Sequence, residues 1–206
     1  YSLEETAPGT DTAPHRSLPT ASLDAGLVFE GAAGSRGQRR LTLEPRVLYV
    51  YTPYRNQDNL PVFDTAVPDL NLVQLFRTNR YVGGDRVGDA NQASVGVTSR
   101  IFDADSGRQL LAATIGQTVY FGTPRVALPG ETINERDTSD LIAQVALTAL
   151  HDWTANLGVQ WNPAEAERER MQAQLQYRPA ATSVVNVGYR YQRERIDQAE
   201  TSFAWP

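Results

Sequence analysis

Apolar residues recur at every second position through much of this chain, and this spacing constrains the fold more than any other feature. In residues 153–161, five apolar residues alternate with Thr, Asn, Gly and Gln. The same spacing returns in residues 171–177 and 185–191. A period of two places neighbouring side chains on opposite faces of a β-strand. The sequence therefore predicts an all-β fold.

The spacing predicts about nine strands. They cover residues 22–30, 40–52, 92–102, 108–121, 141–149, 153–161, 171–177, 185–191 and 201–206. Residues 141–149 also fit helical spacing, but the following His151 and Asp152 are typical of a tight reversal, which favours a strand. Residues 103–107 begin with the aspartate spacing of a calcium loop but lack its later ligands, so they indicate a tight turn.

The connections between the predicted strands alternate in length. Shorter ones lie near residues 31–40, 103–107, 150–153 and 178–182, and longer ones near residues 53–91, 122–138, 162–170 and 193–200. In an up-and-down antiparallel sheet, every second connection lies at the same end of the strands. This favours an antiparallel up-and-down transmembrane β-barrel, of which the chain would supply about nine strands of a larger barrel.

A membrane barrel and a soluble β-sandwich both need one polar and one apolar face, and the alternation alone leaves both open. In a barrel the polar face would line a wet lumen. The residues predicted to face the lumen are Glu44, Arg46, Arg100, Gln172, Gln174, Gln176 and Arg190. The apolar face would meet lipid, with an aromatic girdle. The residues predicted for this girdle are Trp153, Trp161, Tyr189 and Tyr191.

Charge and residue types exclude several functions. The formal net charge of -5 is spread along the chain without a basic stripe, so no nucleic-acid partner is expected. The absence of cysteine excludes disulfides and thiolate metal sites from these residues. No apolar run is long enough for a membrane-spanning helix, and no signal-peptide pattern is visible after Tyr1. His15 and His151 belong to no metal or nucleophile motif, so we predict no enzymatic activity and no cofactor.

The predicted connection at residues 53–91 is far too long for a hairpin turn. It carries a near-balanced set of arginines and aspartates, whose ionic groups could brace one another. It also carries more apolar residues than a disordered segment normally tolerates. These features favour an ordered lid over a disordered insertion.

Three stretches of the chain carry a family resemblance. They are TLEPRVLYVYTPYRNQDNLPVFDT at residues 42–65, LNLVQLFRTNRYVGGDRVGDANQASVGVTSRIFD at residues 70–103 and IGQTVYF at residues 115–121. In residues and spacing they resemble the barrel of the LptD family, the lipopolysaccharide-assembly or organic-solvent-tolerance proteins. The resemblance runs through nearly the whole chain, and it identifies residues 1–206 as a middle part of that barrel domain.

The resemblance implies a function. Barrels of this family lie in the Gram-negative outer membrane, receive lipopolysaccharide from a periplasmic Lpt bridge and place it in the outer leaflet. An LptE-type lipoprotein plugs the lumen, and the lipid leaves through a seam between the first and last strands. The family's periplasmic domain, seam strands and assembly cysteines are not among these residues.

The resemblance also implies that residues 53–91 form a long extracellular loop. We predict that a hydrogen-bonded network folds this loop across the barrel mouth and seals the lumen around its plug. Its members are Asp64, Arg77, Arg80, Asp85, Arg86, Asp89 and Asn91. The alternative for these residues is a solvated loop that they only stabilise. The alternatives for the whole chain are a general outer-membrane channel and a soluble ligand-binding β-sandwich.

Overall fold

The computed structural model describes residues 15–34, 37–69, 71–133, 135–149 and 151–206. In this part of the chain, ten strands join in a single sheet, and one short helix accompanies them. The strands are β1 (Ala21–Gly26), β2 (Phe29–Ala33), β3 (Arg39–Thr52), β4 (Ala90–Asp103), β5 (Gln109–Tyr120), β6 (Leu141–Leu147), β7 (Trp153–Asn162), β8 (Glu167–Ala180), β9 (Ser183–Gln192) and β10 (Ile196–Ala204); the helix is α1 (Leu72–Leu75).

From β3 to β10, each strand lies beside its neighbours in sequence. The predicted all-β, up-and-down antiparallel fold is therefore confirmed. The predicted strand at residues 22–30 is divided into β1 and β2, which both pair with β3. Between them the Leu27 amide donates to the Pro45 carbonyl at 3.0 Å. β1 and β2 are therefore two parts of one interrupted strand beside β3.

Two predicted connections were wrong in their length. Residues 163–166 and 193–195 are tight turns, and β8 and β10 begin immediately after them. Both turns use positive φ at residues other than glycine, 55° at Ala166 and 57° at Glu194. Sequence signals for tight turns rest mainly on Gly, Pro and Asn. Neither turn has such a residue at its positive-φ position, so the charged residues around it predict a longer loop.

The residues divide into two compact units. The first contains residues 1–24, 48–94 and 119–138, of which residues 1–14 lie outside the described part. In this unit Leu48 and Val50 are 3% and 1% exposed, whereas Tyr49 and Tyr51 between and beyond them are exposed. Successive side chains of a strand point to opposite faces, so the unit covers one face of this part of β3 and leaves the other open.

The second unit contains residues 25–47, 95–118 and 139–206. Its strand register places Leu157 opposite Val145 and Ala173, and Leu175 opposite Val187. Leu157, Leu175 and Val187 are 41%, 40% and 46% exposed. A soluble β-sandwich would bury such a face against a second sheet. Here the apolar face is open.

Over the residues that the structure describes, no helix combines the length and the apolar character that crossing a membrane requires.

Candidate functional site

Two loops of the first unit meet at the candidate site. The long loop comprises residues 53–89, between β3 and β4, and the second loop comprises residues 121–138, after β5. The long loop includes α1, whose first turn is capped by Asn71: its Oδ1 accepts from the amides of Val73 and Gln74 at 2.9 and 3.0 Å. Such a cap stabilises a helix that is too short to form alone.

Asp85 organises the long loop from within. Its side chain is only 5% exposed, and its Oδ2 accepts from the amides of Phe63, Asp64 and Thr65 at 2.7, 2.7 and 3.2 Å. Hydrogen bonds to a carboxylate stabilise its charged form. The amides of Asp64 and Phe63 therefore hold the pKa of Asp85 well below its usual range.

Asp64 faces a turn that requires glycine. Its Oδ1 accepts from the Gly84 amide at 3.2 Å. Gly83 has a φ of +87°, and a Cβ at this position would lie 2.7 Å from the Asp64 carbonyl oxygen. Glycine avoids both the strain and the clash.

Arg86 is buried, with 4% exposure, and binds the backbone on the other side of the same loop. Its Nη2 donates to the Leu60 carbonyl at 2.7 Å, and its Nη1 donates to the carbonyls of Pro61 and Asp85 at 3.3 Å each. Irregular backbone has no strand partner for its carbonyl groups, and a guanidinium offers five donors to satisfy them.

Arg80 and Asp89 join the long loop to the second loop. The Arg80 guanidinium forms an ion pair with Glu131 and donates to the Val126 carbonyl. The Asp89 carboxylate accepts from the amides of Arg125 and Val126, with distances of 2.9 to 3.0 Å. Two charged residues of the long loop thus bind one short stretch of the second loop.

Tyr81 and Glu131 complete this contact. The Tyr81 hydroxyl has one proton to donate, and two acceptors lie within reach of it, the Val126 carbonyl at 2.8 Å and Glu131 Oε2 at 2.9 Å. Burial raises the pKa of Tyr81, which stays protonated. Burial alone would raise the pKa of Glu131, but Arg80 and the Leu128 amide outweigh it and lower that pKa. Glu131 is therefore a carboxylate at neutral pH.

The other two residues of the predicted network lie apart from this contact. Asn91 Oδ1 accepts from the Tyr49 hydroxyl at 2.9 Å, and its carbonyl accepts from the Phe121 amide at 2.8 Å. Arg77 is exposed, and its guanidinium forms no hydrogen bond or ion pair with the residues that the structure describes. The structure thus brings Asp64, Asp85 and Arg86 together, joins Arg80 and Asp89 to the second loop, and leaves Arg77 out.

Sequence reasoning missed three polar residues of the two loops. Gln57 is buried, donates to the Val87 carbonyl at 2.7 Å and accepts from Arg16 at 2.8 Å. Asn79 donates to the Arg86 carbonyl at 3.1 Å, and Glu131 belongs to the second loop. No local pattern marks such residues, because their partners lie up to 51 positions away in sequence.

The residues predicted to face a lumen share one face of the sheet in the second unit. Glu44 forms an ion pair with Arg100 and accepts from the Thr42 hydroxyl at 2.7 Å. Gln172 pairs with Arg190, Gln174 with Gly188 and Gln176 with Asn186. Arg46 follows Glu44 by two positions on β3, which places it on the same face.

A polar ladder crosses this face. Gln176 Nε2 donates to Asn186 Oδ1 at 2.8 Å, and Asn186 Nδ2 donates to Ser202 Oγ at 3.1 Å. The hydroxyls of Thr98 and Thr114 lie 3.0 Å apart on β4 and β5. The polar side chains therefore bind one another across strands.

The residues predicted for the girdle lie on the opposite, apolar face. Trp153 and Trp161 are exposed at the two ends of β7, and the Trp153 ring lies 4.5 Å from the Tyr177 ring. Tyr189 pairs with Ala173, and Tyr191 pairs with Met171. Trp161 follows Trp153 by eight positions, which corresponds to about 26 Å along a strand.

The described residues contain no group of three or more His, Asp or Glu side chains that could hold a metal ion. His151 is almost fully exposed at a turn, 3.4 Å from Asp152. In the turn after β4, Asp103 Oδ1 accepts from the amide and hydroxyl of Ser106 at 2.9 and 2.7 Å. This is the tight turn that the sequence predicted.

The chain matches the family model described as LPS transport system D over residues 1–206. This chain belongs to the LptD family. Among similar proteins, the LPS-assembly protein LptD of Aromatoleum aromaticum is 42% identical over 207 residues, covering 100% of this chain and 26% of that protein. Those of Thiobacillus denitrificans and Nitrosococcus oceani are 41% and 37% identical, each over 100% of this chain and 28% of the relative.

The LptD resemblance predicted from residues 42–65, 70–103 and 115–121 is therefore confirmed, and it extends over the whole chain. The chain spans about a quarter of the length of these curated relatives, 26% to 28%. This segment of the LptD family contains the two-faced sheet and the loop pair, which consists of residues 53–89 and 121–138.

Proposed function

We propose that this chain is a segment of an outer-membrane translocon that assembles lipopolysaccharide into the outer leaflet of the Gram-negative outer membrane. Membership of the LptD family over all 206 residues carries the proposal. The names of the relatives, LPS-assembly protein LptD, support lipopolysaccharide as the substrate. In this role the protein moves a lipid without covalent chemistry, so no catalytic residue and no cofactor is assigned.

The two faces of the sheet suit an integral β-barrel. The open apolar face, with Leu157 and Val187, would contact membrane lipid, and the tryptophans at the ends of β7 would lie at its two interfaces. The opposite face, with the Glu44–Arg100 pair and the glutamines of β8, would line a watery lumen. An LptE-type lipoprotein would fill this lumen, and parts of the protein outside this chain would receive lipopolysaccharide from the periplasmic Lpt bridge.

The loop pair would close the extracellular mouth of the barrel. The bonds between the two loops support this closure. They are the Arg80–Glu131 ion pair and the hydrogen bonds that Asp89 accepts from the amides of Arg125 and Val126. Charge-assisted bonds of this kind are stronger than neutral ones and fix geometry. A loop held in this way would limit passage of solutes around the plug.

Depletion of the full-length protein in cells whose new lipopolysaccharide is pulse-labelled tests the translocon. We expect labelled lipopolysaccharide to be lost severalfold from the cell surface and to accumulate inside, with recovery when the wild-type gene is supplied. Surface delivery at the normal rate would reject the proposal. Normal delivery together with loss of small-solute uptake would indicate a general channel instead.

A further inference from the structure

One arginine of β8 lies on the apolar face of the sheet because of a β-bulge. The β7–β8 register pairs Gln160 with Arg170, then shifts and pairs Trp161 with Arg168. A bulge inserts one extra residue and redirects the side chains beyond it. Arg168 therefore shares the face of Trp161.

Arg168 is exposed and rests on apolar partners. Its guanidinium carbon lies 5.0 Å from the centre of the Tyr191 ring, and its Nη1 lies 3.8 Å from the Met171 sulfur. Among the described residues it has no carboxylate partner. Ring and thioether contacts position a guanidinium but leave its strong donors available.

Three glutamates near Arg168 bind a different arginine. Arg193 binds the carboxylates of Glu165, Glu167 and Glu169 at 2.8, 2.5 and 3.2 Å. Asp197 lies opposite Tyr191 on β10. Glu167 and Glu169, which flank Arg168 in sequence, therefore form ion pairs with Arg193.

The position of Arg168 fits the level of a lipid headgroup. It lies at the β7–β8 turn, at the same end of the strands as the long loop, because alternate connections of a meander share one end. Trp161 and Tyr191 surround it with rings of the kind that occupy membrane interfaces. A guanidinium at this level avoids the hydrocarbon and can bind a phosphate with two parallel hydrogen bonds.

We propose that Arg168, supported by Trp161 and Tyr191, is a binding point for the phosphate of an outer-leaflet lipid headgroup. The inference rests on the proposed function, because it requires the apolar face to contact membrane lipid. It adds a specific lipid contact on the outer surface of the segment, separate from the lumen and from the loop pair.

Native mass spectrometry of the full-length protein, in a detergent with a phosphate-free headgroup, tests this binding point. The probe is lipid A with two phosphates, titrated against the wild-type protein and against Arg168→Gln. One cation near a membrane surface corresponds to about fivefold in affinity, so we expect ~fivefold weaker lipid A retention by the variant. Arg178→Gln is the matched control, because Arg178 is an exposed arginine of the same strand at its opposite end, and it should retain lipid A as the wild type does.

Further measurements identify the ligand and the role of the arginine's charge. Dephosphorylated lipid A should bind the wild type and Arg168→Gln equally, and inorganic phosphate should not displace lipid A. Arg168→Lys keeps the charge but not the paired donors, so it should retain two-phosphate lipid A less well than the wild type and better than Arg168→Gln. Heat-dependent migration on gels confirms that each variant is folded.

Equal retention of lipid A by folded Arg168→Gln and wild type would overturn the binding point. Displacement by inorganic phosphate alone would overturn the assignment to a lipid headgroup. Neither result tests the proposed translocon function. The depletion experiment tests that function by measuring lipopolysaccharide at the cell surface. Conversely, unchanged surface delivery after depletion would reject the translocon whatever Arg168 binds.

Discussion

Backbone groups are the main partners of the buried charges in the long loop. Asp85 accepts from three successive amides, and Arg86 donates to three carbonyls. The sequence predicts charged side chains of the loop that brace one another. The side chains of Asp85 and Arg86 bind backbone groups instead, because irregular backbone carries unpaired donors and acceptors at positions that no side-chain pattern reveals.

Replacing Asp85 with asparagine should loosen the turn at residues 63–65. The asparagine oxygen that takes the place of Oδ2 is neutral, so it accepts from the three amides more weakly than the carboxylate does, and a weakening of about 1.4 kcal/mol corresponds to roughly tenfold in local opening. Hydrogen exchange of the amides of Phe63, Asp64 and Thr65 in the full-length protein measures it. Arg77→Ala is the control, because Arg77 is exposed and its guanidinium has no partner in the described part of the loop.

The same amides should respond to acid in a defined direction. The pKa of Asp85 is lowered in the folded loop, so its contribution to stability is complete above the ordinary value of 3.8 and is lost as the pH falls below it. After correction for intrinsic exchange, protection should be equal at pH 7 and pH 5 and decline only in stronger acid. A decline between pH 7 and pH 5 would contradict this role of Asp85.

At the scale of elements, strands were predictable and irregular features were not. Period-two spacing gave β3, β7 and β9 to within two residues, since burial of one face acts at every second residue. The bulge beside Trp161 and the turns at Ala166 and Glu194 depend on single backbone conformations that several residue types can adopt. The contact of Arg80 with Glu131 joins distant loops, so local sequence rules could not find it.

Separation of the two loops should open a path for large solutes. Asp89→Ala in the full-length protein removes the acceptor for the amides of Arg125 and Val126, and each lost bond to a charged group costs about 2 kcal/mol. We expect severalfold greater sensitivity to large antibiotics at unchanged protein level, whereas Arg77→Ala should behave as the wild type. Unchanged sensitivity of the Asp89 variant would reject the sealing role.

At the scale of the molecule, the two faces of one sheet differ in the surroundings that suit them. The apolar face is open at Leu157, Leu175 and Val187, while cross-strand hydrogen bonds join the polar side chains of the opposite face. Exposed apolar area of this extent is costly in water and favourable in hydrocarbon. The proposed barrel, with an enclosed polar lumen and a lipid-facing exterior, would suit both faces at once.

Nitroxide labels at two adjacent residues of β8 test this arrangement in the membrane. Leu175 pairs with Val187 on the apolar face, and Gln174 pairs with Gly188 on the polar face. In the reconstituted full-length protein, a label introduced through Leu175→Cys should collide mainly with oxygen, which concentrates in lipid. A label introduced through Gln174→Cys should collide mainly with a water-soluble nickel chelate, and a label in the exposed turn at Glu165 provides the aqueous reference. Equal nickel access at both strand positions would show that hydrocarbon does not contact the apolar face, and the barrel assignment would be rejected.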